Sequence, residues 1–417
     1  MKKMLFIPAA LAAVSAAATP NVTDVHVSQN DSTLEVTVTY KVDEPAVVTL
    51  DILADGKSIG PAALRKVTGE VNKLVTNLNQ SCSIVWHPDE DWTTGARKTQ
   101  NVSAKVSAWS TNCPPTFMAV NIFDPEVVRY YVHRDALPYD ITNDVYKTDW
   151  LLFRKIPAAG IPWRMGAPAD EASYYKQNAV QETPHIVTLT EDYYFGVFPV
   201  TTYQQYRLCC DAVYNLLSPA TGTGVYYDTL RGTSTDEGPI NWPETGHKVS
   251  PTSVLGVFRS KLGIDVDLPT EAQWEYACRA GTGTALYDGT NYEYEHAVVM
   301  GWNTDLFDKL GMARAAQPVG QLLPNNWDIY DLYGNVWEWC LDWMSSDVTA
   351  NDLSKLPCID PKGLESGTYR VNRGGGWNSG PLGRSAFRIT GYTGSVGAAA
   401  AQGFRLAAPA IAPFRAK

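Results

Sequence analysis

Seven cysteines and six histidines are the side chains of this chain best able to hold a soft metal, exchange disulfides or attack a substrate, so their spacing sets the first limits on its chemistry. The histidines, His26, His87, His133, His185, His247 and His296, are scattered, with none of the HxH, HxxxH or HExxH spacings that bring two imidazoles to one metal. The cysteines, Cys82, Cys113, Cys209, Cys210, Cys278, Cys340 and Cys358, include no CxxC pair. Cys82 and Cys113 can pair within the N-terminal region, and the odd total leaves at least one thiol free or joined to another molecule. The vicinal Cys209-Cys210 reads as two buried small hydrophobes rather than a redox switch. No Gly-rich phosphate loop opens a helix and no GxSxG occurs, so nucleotide-dependent and α/β-hydrolase chemistry are not indicated.

The elements that must position any site fall into two regions, as 417 residues suggest. Hydrophobic residues make up 45% and charged residues 19%, a balance that folds rather than stays disordered. Residues 1–18 open with Lys2-Lys3, run apolar from Leu5 and end in Ala16-Ala17-Ala18, the pattern of a cleaved secretory leader. That run is too short to span a membrane, so the expected location is secreted, periplasmic or at the cell surface, with no transmembrane segment after cleavage. The formal charge of −10 becomes more negative without Lys2 and Lys3, which argues against nucleic acid as a partner.

Over residues 19–112 the pattern alternates at Leu34, Val36, Val38 and Tyr40, a half-buried strand. Val47 to Leu53 runs into Asp55-Gly56, a hairpin signal, and Ser83 to Trp86 and Val102 to Trp109 supply further strands. Short strands at this spacing predict a β-sandwich of immunoglobulin or fibronectin type, without a catalytic constellation and best read as a spacer or docking module. Pro114-Pro115 marks the boundary, residues 113–152 read as a linker or connecting strand, and a second domain occupies 153–410. The whole is therefore α+β.

That second region carries a series of blocks in one order: Trp163-Arg164-Met165-Gly166 and Glu182-Thr183-Pro184-His185, YYFGVFPVTTYQQY (193–206), LPTEAQWEYACRAGT (268–282), YDLYGNVWEWCLDW (330–343), and Arg370 to Leu406, opening RVNRGGGW and closing GFRL. In the third, Thr270 and Gln273 form a capping box for a short core helix that buries Trp274 and Ala277 or Cys278. In the fourth, Gly334 allows a tight turn, and Trp337 and Trp339 alternate about Glu338. Together the blocks resemble the formylglycine-generating enzyme, or sulfatase-modifying factor, family, whose fold is a variant of the C-type lectin fold with little regular secondary structure.

The resemblance implies an oxidase that binds copper through two cysteines just after the Gly-Gly-Ser turn and converts a substrate cysteine to formylglycine. Here Ser379 and Arg384 stand at the two copper positions and Gly376 replaces the family serine. No cysteine follows Cys358, and neither a hydroxyl nor a guanidinium replaces a thiolate, so copper is not expected. The family cysteine that pairs with the one at Cys278 is matched by Ile389. The family's calcium turn implies a structural calcium held by the side chains of Asp331 and Glu338 and the carbonyls of Gly334 and Val336, against the simpler reading of Glu338 as a carboxylate bound by backbone amides. A second family calcium site falls near Asn303 and Asp305.

The leading functional expectation is a bacterial-type pseudoenzyme, a non-catalytic binding or structural scaffold. It would present Trp377, Asn378, Ser379, Arg384 and Tyr392, with Phe387, to a protein, peptide or glycan. One alternative is a formylglycine-generating-type oxidase with a divergent active site. Another is a retroelement-diversified variable protein, in which related genes would differ between Asn378 and Gln402.

Overall fold

The computed structural model describes residues 20–88, 102–167, 182–210, 216–221, 226–232, 249–344, 358–364, 366–392 and 399–413, without the side chains of 390–392 and 399. The leader expected at 1–18 lies outside these residues. The architecture is mixed α+β, rich in sheet and poor in helix, and no helix among the described residues is long and apolar enough to cross a membrane.

In the N-terminal region β1 (Val22–Gln29), β2 (Val36–Val42), β5 (Val67–Gly69) and β7 (Cys82–Trp86) form one sheet in the order β1-β2-β7-β5. A second sheet is built on β3 (Ala46–Ala54), with β4 (Lys57–Ser58) and β6 (Lys73–Val75) along one edge and β8 (Val102–Ser110) along the other. Strict alternation on β2 sends Val36, Val38, Tyr40 and Val42 into a core shared with Val48, Ile52, Ile84 and Trp86. Leu34 is an exception to the expected strand: it has a left-handed φ of 60° and is exposed, because the turn from β1 closes there by a bond from its amide to the Asn30 carbonyl. The Asp55-Gly56 turn has positive φ at both residues, as a tight hairpin between β3 and β4 requires.

β3 is buried on both faces. Val48 enters the N-terminal core, whereas Val47 joins Met118, Val120 and Tyr130 in the main core of the C-terminal region. Bonds from Tyr130 N–H to the Asn72 carbonyl and from Ala412 N–H to the Thr111 carbonyl also cross between the regions.

Residues 113–152, read from sequence as a linker or connecting strand, supply half of a central sheet. β9 (Phe117–Asn121), β10 (Val128–Tyr131), β11 (Trp150–Ile156), β14 (Tyr193–Gly196) and β20 (Ala407–Pro409) pair in the order β10-β9-β11-β14-β20. Their alternating aromatic and aliphatic residues are buried here, which a solvated linker would not permit. Two smaller sheets complete the region. One joins β12 (Ile161–Met165), β13 (His185–Leu189) and β16 (Cys358–Ile359). The other runs β18-β17-β15-β19 through β18 (Arg388–Tyr392), β17 (Tyr369–Arg373), β15 (Trp337–Trp343) and β19 (Gln402–Gly403).

The described helices are short: α1 (Thr202–Cys210), α2 (Tyr227–Arg231), α3 (Val254–Leu262), α4 (Glu271–Arg279), α5 (Tyr294–Val299) and α6 (Thr304–Leu310). The Thr270–Gln273 capping box starts α4 as the sequence predicts. Every residue of α4 is buried, not one face alone. Its polar residues are neutralised inside: Glu271 pairs with Arg373 and Arg388, and Glu275 with Arg279 and Arg373.

Candidate functional site

The turn to which the resemblance assigns the copper positions follows β17. Gly374 and Gly375 both adopt φ of 88°, and a Cβ at Gly374 would lie 2.8 Å from the Leu332 carbonyl oxygen. Gly376 is tight for a different reason: a Cβ there would meet the Trp337 ring at 2.8 Å and the Ala401 Cβ at 3.1 Å. Ser379 closes the turn on itself. Its hydroxyl accepts from the Gly376 N–H at 3.0 Å and donates to the Gly376 carbonyl at 2.7 Å. The Ser379 carbonyl accepts from Thr304 N–H, which ties the start of α6 to this turn.

Arg384 is buried, not presented on the surface. Its two terminal nitrogens each stand 2.9 Å from an oxygen of Glu182, a fork-to-fork ion pair, and its guanidinium lies over Phe387. Phe387 is itself buried against Trp337, which corrects its expected exposure. Trp377 is half-buried between the clusters around Trp302 and Trp337, and its indole N–H donates to the Ala400 carbonyl at 2.9 Å. Asn378 is exposed. Tyr392 ends β18 opposite Tyr369, but its side chain lies outside the described residues. Of the five expected ligand-binding residues, then, Asn378 is open, Trp377 and Ser379 are partly so, and Arg384 is withdrawn.

The implied calcium ligands sit one layer below. Glu338 is buried and accepts from the Trp274 indole N–H at 2.7 Å and from Arg405, whose Nη2 lies 2.6 Å from Oε1 and whose Nε lies 3.0 Å from Oε2. Arg405 also donates to the carbonyls of Gly196, Val197 and Tyr330. The guanidinium thus occupies the side of Glu338 that a cation would need, and the carboxylate does not fit calcium as placed. The simpler reading was right that Glu338 is hydrogen-bonded, but the partners are an indole and a guanidinium instead of backbone amides.

Asp331 accepts from Gly320 N–H through Oδ2, while Oδ1 has no partner among the described residues. Burial pushes its carboxyl up to about 6. Gly334 turns with φ of 70° and Val336 is fully buried. No group of three or more His, Cys, Asp or Glu side chains is placed to hold a metal ion among the described residues. Asn303 caps α6, and Asp305 accepts from the hydroxyls of Thr304 and Tyr294.

No disulfide joins the cysteines among the described residues. Cys82 is buried and Cys113 exposed, so the pairing open to them from sequence is not made. Cys209 is half-buried and Cys210 exposed, unlike the buried pair expected. Burial pushes the Cys278 thiol up to about 12. Its sulfur faces the Ser385 hydroxyl at 3.7 Å, so Ser385, not Ile389, stands where a bridging partner would be. Sequence reasoning also missed Glu182 as the partner of Arg384; the only signal was the block Glu182-Thr183-Pro184-His185 itself, whose role a linear reading leaves open.

The pattern of the sulfatase-modifying factor enzyme 1-like domain matches residues 162–410, more than half of the chain. The formylglycine-generating enzyme of Thermomonospora curvata is 36% identical over 148 residues, covering 34% of this chain and 48% of that protein. The serine/threonine-protein kinase pkn1 of Chlamydia pneumoniae is 30% identical over 205 residues, covering 48% of this chain and 30% of its own length. The chain thus spans half or less of these curated relatives. Among solved structures, Treponema denticola variable protein 1 is 21% identical with a TM-score of 0.43, covering 62% of this chain and 95% of its own. With the blocks, the turn and the matched domain together, the chain belongs to the sulfatase-modifying factor, formylglycine-generating enzyme-like family.

Proposed function

We propose that this family member is a secreted, non-catalytic binding or structural scaffold, with the surface around Trp377 and Asn378 as its recognition face for a protein, peptide or glycan. The observation that carries the reading is the fate of the two positions where the family resemblance puts copper ligands: the Ser379 hydroxyl is spent on its own turn, and Arg384 is locked to Glu182. Neither group offers a soft electron pair to Cu(I). The N-terminal sheets serve in this reading as an immunoglobulin- or fibronectin-like docking module. The deciding experiment is a titration of the intact protein with copper(I) and a sulfatase-derived cysteine peptide, with aldehyde followed by mass. The reading requires no formylglycine; its appearance would mean that a divergent site does the chemistry.

The second reading, a divergent formylglycine-generating-type oxidase, is favoured by the identity to the Thermomonospora curvata enzyme. It predicts oxygen consumption dependent on the cysteine peptide after loading with copper or iron.

A further inference from the structure

A cavity of about 560 Å³ lies where the N-terminal sheets meet the C-terminal region, between Asn112, the start of α4 and the segment after β20. None of its lining residues belongs to the 371–392 turn and strand, so it is separate from the recognition face proposed above. Its volume is that of a small-molecule site, and regional junctions are common places for such sites.

The walls are of one electrostatic sign. Glu191, Asp192 and Asp360 line the cavity, with no lysine, arginine or histidine among the described lining residues. The three carboxylates are not equally available. Asp360 spends both oxygens on Thr190, at 2.9 Å from its N–H and 2.6 Å from its hydroxyl. Asp192 spends Oδ1 on the N–H groups of Ala158 and Ala159, at 2.9 and 3.0 Å. That leaves Oδ2 of Asp192 and both oxygens of the exposed Glu191 without a partner among the described residues.

A second group points the same way independently. Gln273 is only 5% exposed yet lines the cavity, and its Oε1 is taken by Thr270 N–H at 2.9 Å within the capping box. Its Nε2 has no partner among the described residues, so an amide donor on a buried side chain is left for whatever enters. Ile411, 41% exposed, and the neighbouring prolines give the opening an apolar side.

We infer that this cavity binds an alkylammonium or guanidinium group on an apolar stem, with the cation on Glu191 and Asp192, the stem along Ile411, and an acceptor such as a carbonyl on Gln273 Nε2. A free amine and a lysine side chain share this chemistry. Only the second also brings a backbone carbonyl for Gln273 Nε2.

The test is calorimetric titration of the intact protein at low salt with N-acetyl-lysine amide, pentylamine and N-acetyl-norleucine amide. Glu191→Gln and Asp192→Asn serve as variants; Asp192→Asn keeps an oxygen for Ala158 and Ala159, and unchanged melting temperatures verify folding. Saturable binding of the lysine amide is expected, weakened about tenfold by each substitution and more than tenfold for the norleucine compound, because a charge-assisted bond is lost each time. Equal binding of pentylamine would assign the site to free amines, and preference for the lysine amide would assign it to peptides. The inference is overturned by norleucine binding as well as lysine, by binding that survives both substitutions, or by no saturable binding at all.

Discussion

Arg384 grips Glu182 across 202 residues of sequence, each terminal nitrogen 2.9 Å from its own carboxylate oxygen. Both side chains are buried, so breaking the pair from one side strands a charge where water cannot reach it. Glu182→Gln or Arg384→Ala should cost about 3–5 kcal/mol in urea unfolding, whereas Glu182→Leu with Arg384→Met should cost much less than the two single changes summed. Additive losses would show that the two groups act independently.

Gly376 stands where the family resemblance implies a serine. Because a Cβ there would press on the Trp337 ring and Ala401, restoring the serine should lower stability by about 1–3 kcal/mol. A Gly376→Ser protein with an unchanged unfolding midpoint would mean that Trp337 yields without cost.

Acid should act through Glu275. Burial by itself would raise this carboxyl, but the charges of Arg279 and Arg373 outweigh it and hold it below the usual glutamate range. A carboxylate depressed in the folded state contributes stability that is full above its unfolded pKa, about 4.5, and is lost as the pH falls through the folded value. Glu275→Gln should therefore cost about 3 kcal/mol at pH 7, with the gap to the parent closing below about pH 4. A gap independent of pH would place the effect in packing.

Calcium gives a thermal test of the Glu338–Arg405 contact. With the guanidinium on Glu338, melting temperatures in EDTA and in millimolar calcium should agree within about 1 °C. A rise of several degrees with calcium would require Arg405 to leave Glu338, or a site elsewhere.

Thiol reactivity should sort by exposure. Cys113 and Cys210 are open to a disulfide reagent, Cys209 is half-buried, and Cys82, Cys278, Cys340 and Cys358 are buried. The first two should react at once in the native protein and the last four only on unfolding. Fast labelling of more than three thiols would contradict this packing.

Local patterns were legible where one residue's neighbours in sequence decide its state. The alternation of Val36 to Val42, the Asp55-Gly56 turn and the Thr270 capping box all depend on contacts within a few positions. The family blocks were readable because motif order survives where contacts are unknown. Long-range electrostatics were not legible: nothing local marks Glu182 as the partner of Arg384, or Arg405 as the cover of Glu338. The strands of 117–156 were underread for a related reason, since their pairing partners β14 and β20 lie far along the chain.

One strand, finally, sets what can be cut from this protein. Val47 and Val48 are adjacent on β3 and belong to different hydrophobic cores. A fragment reduced to the matched family domain would therefore open a sticky apolar wound where Val47 had been, and the N-terminal sheets alone would carry the reciprocal one. Heat should melt the two regions as one cooperative unit, seen as a single calorimetric transition, because β3 belongs to both cores.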